Sequence, residues 1–235
     1  MKTLAQTIVT LFVFGLLFGT PQNKYVYCQN TGCKYFKNYT REEYESSPQN
    51  WSILQDKRGI IYAANHAGVL EFDGISWRRI KIPHWSVRSM AVDTNGTIYV
   101  GGKNEIGFLA PDEKGALQYV SLLEYLEENK RNFSNVWKTY ATNEGIYFST
   151  SKFLFRWNPG QKRLEVWEAK NRFKFSFTCD GKFFIRQSNI GLMQMKGDSL
   201  ESIPGGETFA GKPHLGGNQR RIGLVNTGFK QEKPG

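Results

Sequence analysis

Cysteine and histidine are scarce: three of each among 235 residues, at scattered positions. None stand at metal-ligand spacing, so the sequence offers no zinc ribbon or similar metal framework. No G-x-S-x-G nucleophile elbow and no glycine-rich phosphate loop occur, which removes the commonest signatures of serine hydrolases and nucleotide enzymes. No cofactor is therefore expected. After residue 18 there is no apolar run of the roughly 20 residues that a membrane helix needs.

What is present at the start reads as an export signal. Lys2 supplies a positive charge, Ile8 to Phe18 form an apolar run, and Gly19-Thr20-Pro21 adds small residues and a break. The expectation is a signal peptide over 1–20, or a short anchor, with the remainder exported to the periplasm. Cys28 and Cys33 follow in "CQNTGC" and could join as a disulfide in an oxidising compartment. Cys179 sits in an apolar run and reads as a buried packing residue.

The formal charge is +10. About half of that excess lies in Lys2 and in the last 24 residues, where Lys212, Arg220, Arg221, Lys230 and Lys233 stand against Glu232 alone. A basic tail on an exported chain is poor evidence for nucleic-acid binding, and none is expected.

A pattern then recurs. "ILQDKRGIIYAAN" (53–65) matches "MAVDTNGTIYVGG" (90–102), then "TYATNEGIYFSTS" (139–151) and "FSFTCDGKFFIRQ" (175–187). Their turn glycines, Gly59, Gly96, Gly145 and Gly181, are 37, 49 and 36 residues apart. Each copy continues with a third strand ("GVLEFD", "GFLAPD", "FLFRWN", "GLMQMK"), a turn, and a fourth strand ("WRRIKI", "LQYVSL", "RLEVWE", "SLESIP"). Four short strands at a period near 40 residues are the signature of a propeller blade. An ordinary β-sandwich would supply the strands but not the same turn at the same place four times. The expected fold is all-β: a partial β-propeller over 51–211 with four-stranded antiparallel blades at about 51–86, 87–126, 136–172 and 173–206. Residues 21–50 form a lead-in segment. The long interval holds "SLLEYLEENKRNFSN" (121–135), whose leucines at helical spacing predict a short surface helix. Glu124, Glu127 and Glu128 would be solvated on it.

The lead-in "GCKYFKNYTREEYESSPQNW" and the blades "ILQDKRGIIYAANHAGVLEFDGISWRRI" and "VRSMAVDTNGTIYVGGKNEIGFLAPDEKG" resemble the two-component regulator propeller family, exported sensor regions of bacterial signalling proteins whose later parts commonly include a triple-tyrosine module. The resemblance covers roughly 32–211. It implies a sensor that reads an external ligand or partner and passes the state through a membrane helix to a kinase, DNA-binding module or cyclase. The sequence departs from the family in having four legible blades where about seven are usual, and no output domain. After "IPGGETFAG" the strand pattern stops, so residues 212–235 read either as out of register from a frame-shifted, truncated gene, the preferred reading, or as a flexible natural tail.

Placing the copies in register puts Trp51, Arg88, Trp137 and Phe173 at the first position of each innermost strand, near the mouth of the channel. Such a set suits a carbohydrate or other small extracellular ligand, with rings stacking on sugar faces and the guanidinium donating to hydroxyls. The alternative is that the aromatics pack between blades. The loops Asn65-His66 and Lys103-Asn104-Glu105 are further candidates, read as solvated turns, with Glu105 able instead to pair with Lys103 or Arg88. No catalytic constellation stands out, so the chain is read as a non-catalytic sensor. A secreted propeller hydrolase or lyase acting on polysaccharide, and a protein-interaction scaffold, are the alternatives. Open blade edges at both ends predict self-association or a partner propeller.

Overall fold

The computed structural model describes residues 37–211. The expected export signal, the Cys28–Cys33 pair and the tail beyond 211 lie outside the described residues.

A short helix, α1 (Arg41–Tyr44), is capped by Thr40, whose backbone N–H donates to the Glu43 carboxylate at 2.6 Å, and ends at left-handed Glu45. Four sheets follow. The first holds β1 (Asn50–Gln55), β2 (Ile61–Asn65), β3 (Gly68–Phe72) and β4 (Trp77–Ile80). The second holds β5 (Val87–Val92), β6 (Ile98–Gly102), β7 (Ile106–Pro111) and β8 (Leu117–Ser121). The third comprises β9 (Lys138–Thr142), β10 (Gly145–Ser149), β11 (Phe153–Asn158) and β12 (Arg163–Glu168). The fourth comprises β13 (Phe173–Cys179), β14 (Lys182–Gln187), β15 (Gly191–Lys196) and β16 (Ser199–Ser202). Every sheet pairs its strands in chain order and antiparallel. The first strands β1, β5 and β9 lie side by side, and the sheets stack face to face. The described residues are four blades of a β-propeller.

The recurring turns of the first two blades, and the outer turn of the second, share one physical device. In Asp56–Gly59, Asp93–Gly96 and Asp112–Gly115 the aspartate Oδ1 accepts two backbone N–H groups, those two and four residues on, at 2.9 to 3.0 Å. The glycine closes each turn at φ 87°, 89° and 82°. The third and fourth blades use two-residue turns instead, Asn143-Glu144 and Asp180-Gly181, the latter at φ 50° and 69°, the type I′ geometry that matches strand twist. Cys179 ends β13 beside this turn and is exposed, correcting its reading as a packing residue.

Three apolar cores lie between successive blades. Tyr62, Val69, Met90 and Val100 are among those closing the first gap, Tyr99, Ile106, Phe148 and Phe155 the second, and Tyr147, Leu154, Phe183 and Met195 the third. The tyrosine on each second strand points forward onto the next blade, and its hydroxyl reaches its own hairpin's acid: Tyr62 to Asp56, Tyr99 to Asp93, and Tyr147 to Glu144 at 2.7 Å. Burial, reinforced by Glu71 and Asp56 at Tyr62 and by Asp93 at Tyr99, pushes both phenols up to about 12.

The expected surface helix over 121–135 is replaced by two single 3-10 turns, Leu123–Tyr125 and Glu128–Lys130. Leu122, Leu126 and Phe133 are buried between the second and third blades.

Candidate functional site

The hairpin turns gather at one end of the inner strands, and the starts of those strands form the other, the entry end. There the strand register slips. The β1–β2 pairing jumps from Asn50 to Ser52, and the β5–β6 pairing from Val87 to Ser89. Trp51 and Arg88 are therefore the bulge residues, left out of the ladder and re-aimed by it. Trp137 leads into β9 at the equivalent place, its N–H bonded to Ser149 O at 2.9 Å.

These three side chains form one stack. The Arg88 guanidinium carbon lies 3.9 Å from the Trp51 ring centroid and 5.8 Å from that of Trp137. Trp51 is 42 % exposed and Trp137 45 %, so neither packs away between blades. Arg88 Nε is shut off from solvent and has no hydrogen-bond partner among the described residues. Burial holds the Arg88 pKa below its ordinary value, with no carboxylate raising it. Ser151 extends the row: its hydroxyl accepts from Trp137 Nε1 at 3.3 Å and from Arg172 Nη2 at 3.4 Å.

Phe173 does not join them. It is 2 % exposed, pairs with Gln187 as Val87 pairs with Gly102, and belongs to the core between the third and fourth blades. The sequence register was one place off because the fourth blade's bulge runs from Phe173 to Ser176. In register that blade's bulge residues are Lys174 and Phe175, and Arg172, just before β13, reaches the row through Ser151. Extending the register into the loops would also have found Ser151, which stands where Lys103 and Asn104 stand one blade earlier.

The other loop candidates divide by burial. Asn65 is fully buried and ties the lead-in to the first blade. It donates to Ser47 O at 2.6 Å and Asn50 Oδ1 at 2.8 Å, and accepts from Ser46 Oγ at 3.0 Å. His66 is exposed, its Nδ1 3.4 Å from Ser86 Oγ. Lys103 is exposed at the entry end. Asn104 takes φ 54° and its side chain accepts the backbone N–H groups of Phe133 and Ser134, which pins the start of the third blade. Glu105 is neither solvated nor ion-paired with Lys103 or Arg88, correcting both readings. It is 3 % exposed and accepts from Tyr119 Oη at 2.9 Å and Ser121 Oγ at 3.2 Å. Burial pushes its carboxyl above the usual range, against the pull of those two bonds. Gly107 makes this reach feasible: a Cβ there would lie 2.5 Å from Tyr119 Cζ and 2.3 Å from Val120 O.

The hairpin end has opposite character. Asp93, Thr94, Asn95, Asn143 and Glu144 help line a cleft of about 390 Å³ between the second and third blades. Among the described residues no cluster of acidic, histidine or cysteine side chains is arranged to hold a metal.

Fold and site together define a β-propeller with an aromatic–arginine entry end. No protein-family model matches the chain, and no curated protein matches it in sequence. Solved structures do. The extracellular domain of the hybrid two-component system BT4673 from B. thetaiotaomicron aligns with TM-score 0.49 and 15% identity, over 67% of this chain and 21% of that one. That of the hybrid two-component system BT3049 from the same organism aligns with TM-score 0.46 and 18% identity, over 62% and 21%. Virginiamycin B lyase from Staphylococcus aureus aligns with TM-score 0.47 and 15% identity, over 66% and 56%. The chain thus spans about a fifth of the length of the sensor domains that it resembles.

Proposed function

We propose that this chain is the ligand-reading propeller of a bacterial extracytoplasmic sensor of two-component type, that it binds saccharide at the entry end, and that it performs no chemistry on it. The observation that carries this is the Trp51–Arg88–Trp137 stack, two exposed indoles flanking a guanidinium. Ordinary surfaces seldom hold large rings exposed in register. Indole faces suit the apolar faces of pyranose rings, and the free N–H groups suit their hydroxyls. The lead-in and blade motifs of the sequence support placing the chain in the two-component regulator propeller family, exported to the periplasm. A second copy or a partner propeller covering the open forward face of the fourth blade, where Phe175 is 45 % exposed, belongs to the same reading.

The test titrates intrinsic tryptophan fluorescence with short neutral and acidic oligosaccharides and follows the sugars by chromatography. Saturable quenching that disappears in Trp137→Ala, with the sugars intact, is expected. Product formation would replace the sensor by a propeller lyase or hydrolase. No quenching by any sugar would end the saccharide reading.

A further inference from the structure

The saccharide reading leaves the charge of the ligand open, and the entry end answers it. We infer that the ligand is an acidic saccharide whose anionic group, a uronic carboxylate or a sulfate ester, docks on Arg88 between Trp51 and Trp137. This rests on the function proposed above and names the class of sugar.

The argument begins with how the guanidinium is used. Its faces lie against two indoles, which leaves only the in-plane N–H groups for bonding. Among the described residues, no hydrogen bond or ion pair consumes any of them; Nε is cut off from solvent, so the terminal Nη groups are the ones left for a ligand. A neutral hydroxyl would accept one such N–H and leave the charge uncompensated. A carboxylate or sulfate offers parallel acceptors in the plane of the fork and neutralises the charge at once.

The surroundings point the same way. The strand starts and loops at this end carry Lys103, Lys138, Arg172 and Lys174. Of the acids at this end, Glu105 is buried and committed to Tyr119 and Ser121, and Glu168, facing Phe153 at the start of β11, is paired with Lys152. The acids of the recurring hairpins, Asp56, Asp93 and Glu144, all sit at the far end of the inner strands. An anion approaching Arg88 therefore meets cations, indoles and hydroxyls. Arg172, held with Trp137 on the Ser151 hydroxyl, lies in position to meet a second acidic residue of the same chain of sugars.

The experiment uses the full chain and isothermal titration at about 50 and about 300 mM salt. Probes are trimers of galacturonate, glucuronate and mannuronate, sulfated galactan fragments, neutral galactan trimers, and methyl-esterified trigalacturonate. At least one acidic family should bind about tenfold more tightly than neutral trimers, and the esterified trimer should behave as neutral. Which of the two families wins decides between carboxylate and sulfate. Arg88→Met and Arg88→Gln should erase the preference, and Arg88→Lys should keep only its salt-sensitive part. Neutral and acidic trimers binding equally would overturn the charge inference and leave the saccharide reading standing. Failure of every probe would overturn both. A preference that survives Arg88→Met in a folded variant would also overturn it. Should both neutral variants fail to fold, comparing the ester with the free acid on the unaltered protein decides the question.

Discussion

Arg88 and Arg156 are chemically the same device put to different ends. Both guanidinium groups stack on aromatic rings, Arg88 on Trp51 and Trp137, Arg156 on Trp167 at 5.2 Å and Tyr147 at 5.9 Å. Arg156 spends its donors inside the protein, on Glu165, on Asp198 and on Gly197 O at 2.7 Å, and so fastens the third blade to the fourth. Burial works to lower its pKa, but the bonds to Tyr147, Glu165 and Asp198 win and raise it. Arg88 has the same stacking, no internal partner, and a lowered pKa from burial. An arginine whose bonds are all made is part of the structure. One held rigid with its bonds unmade is kept for something outside it.

The comparison breaks most visibly at Arg156. Arg156→Met should destabilise the fold by about 3 kcal/mol, because Glu165, 14% exposed at its side chain, keeps only the exposed Arg163 as a partner. Urea unfolding measures this, and saccharide binding by the remaining folded protein should not change. A loss under about 1 kcal/mol would show that the network is ornamental.

Glu105 sharpens the contrast from the acidic side, as a buried carboxyl held by two hydrogen bonds with no lysine or arginine paired to it. Burial raises its folded pKa, so the folded state holds the proton to higher pH than the unfolded chain does. Its contribution to stability is therefore greatest in acid and is lost as pH rises through the folded pKa. Glu105→Gln keeps an acceptor for Tyr119 and cannot ionise. The difference in unfolding midpoint between variant and parent should grow in favour of the variant from about pH 4 to about pH 8. A flat difference would mean that Glu105 is stabilised as the anion after all.

Smaller still is Asp198→Asn. Asp198 bonds Arg156 while its side chain stays 68% exposed, so solvent screens the pair and the loss should stay below about 1 kcal/mol. The same urea series measures it, and a loss near that of Arg156→Met would place the blade junction's strength in this one exposed contact.

How much of this was legible in the chain follows from what repeats. The hairpin turns and the tyrosine strands recur because every blade must make the same bend and bury the same forward face, so aligning four copies exposed the fold. The site was only half visible. Trp51, Arg88 and Trp137 fell into register, but a bulge in the fourth blade moved Phe173 into the core, and no local pattern marks a bulge. Arg172 and Ser151 were missed because the register was read along the strands and not carried into the loops that follow or precede them. Glu105 read as a solvated loop acid because its partners, Tyr119 and Ser121, stand 14 and 16 residues away on β8.

The smallest effect expected is the stability change at Arg88. Arg88→Met gives up two stacking contacts with the indoles, each worth about 0.5–1 kcal/mol at a partly exposed site. It also removes a shielded N–H that has no partner, whose desolvation costs about as much. Methionine keeps a flexible apolar stem to lie between the same rings. The two contributions oppose each other, and the unfolding midpoint should move by no more than the equivalent of about 0.5 kcal/mol, while acidic-saccharide binding is lost. Measured beside Arg156→Met, this separates an arginine that holds the blades together from one that waits for a ligand. A large destabilisation at Arg88 would mean that its stack is a structural clamp between the first three blades, and the two arginines would then differ in degree and not in purpose.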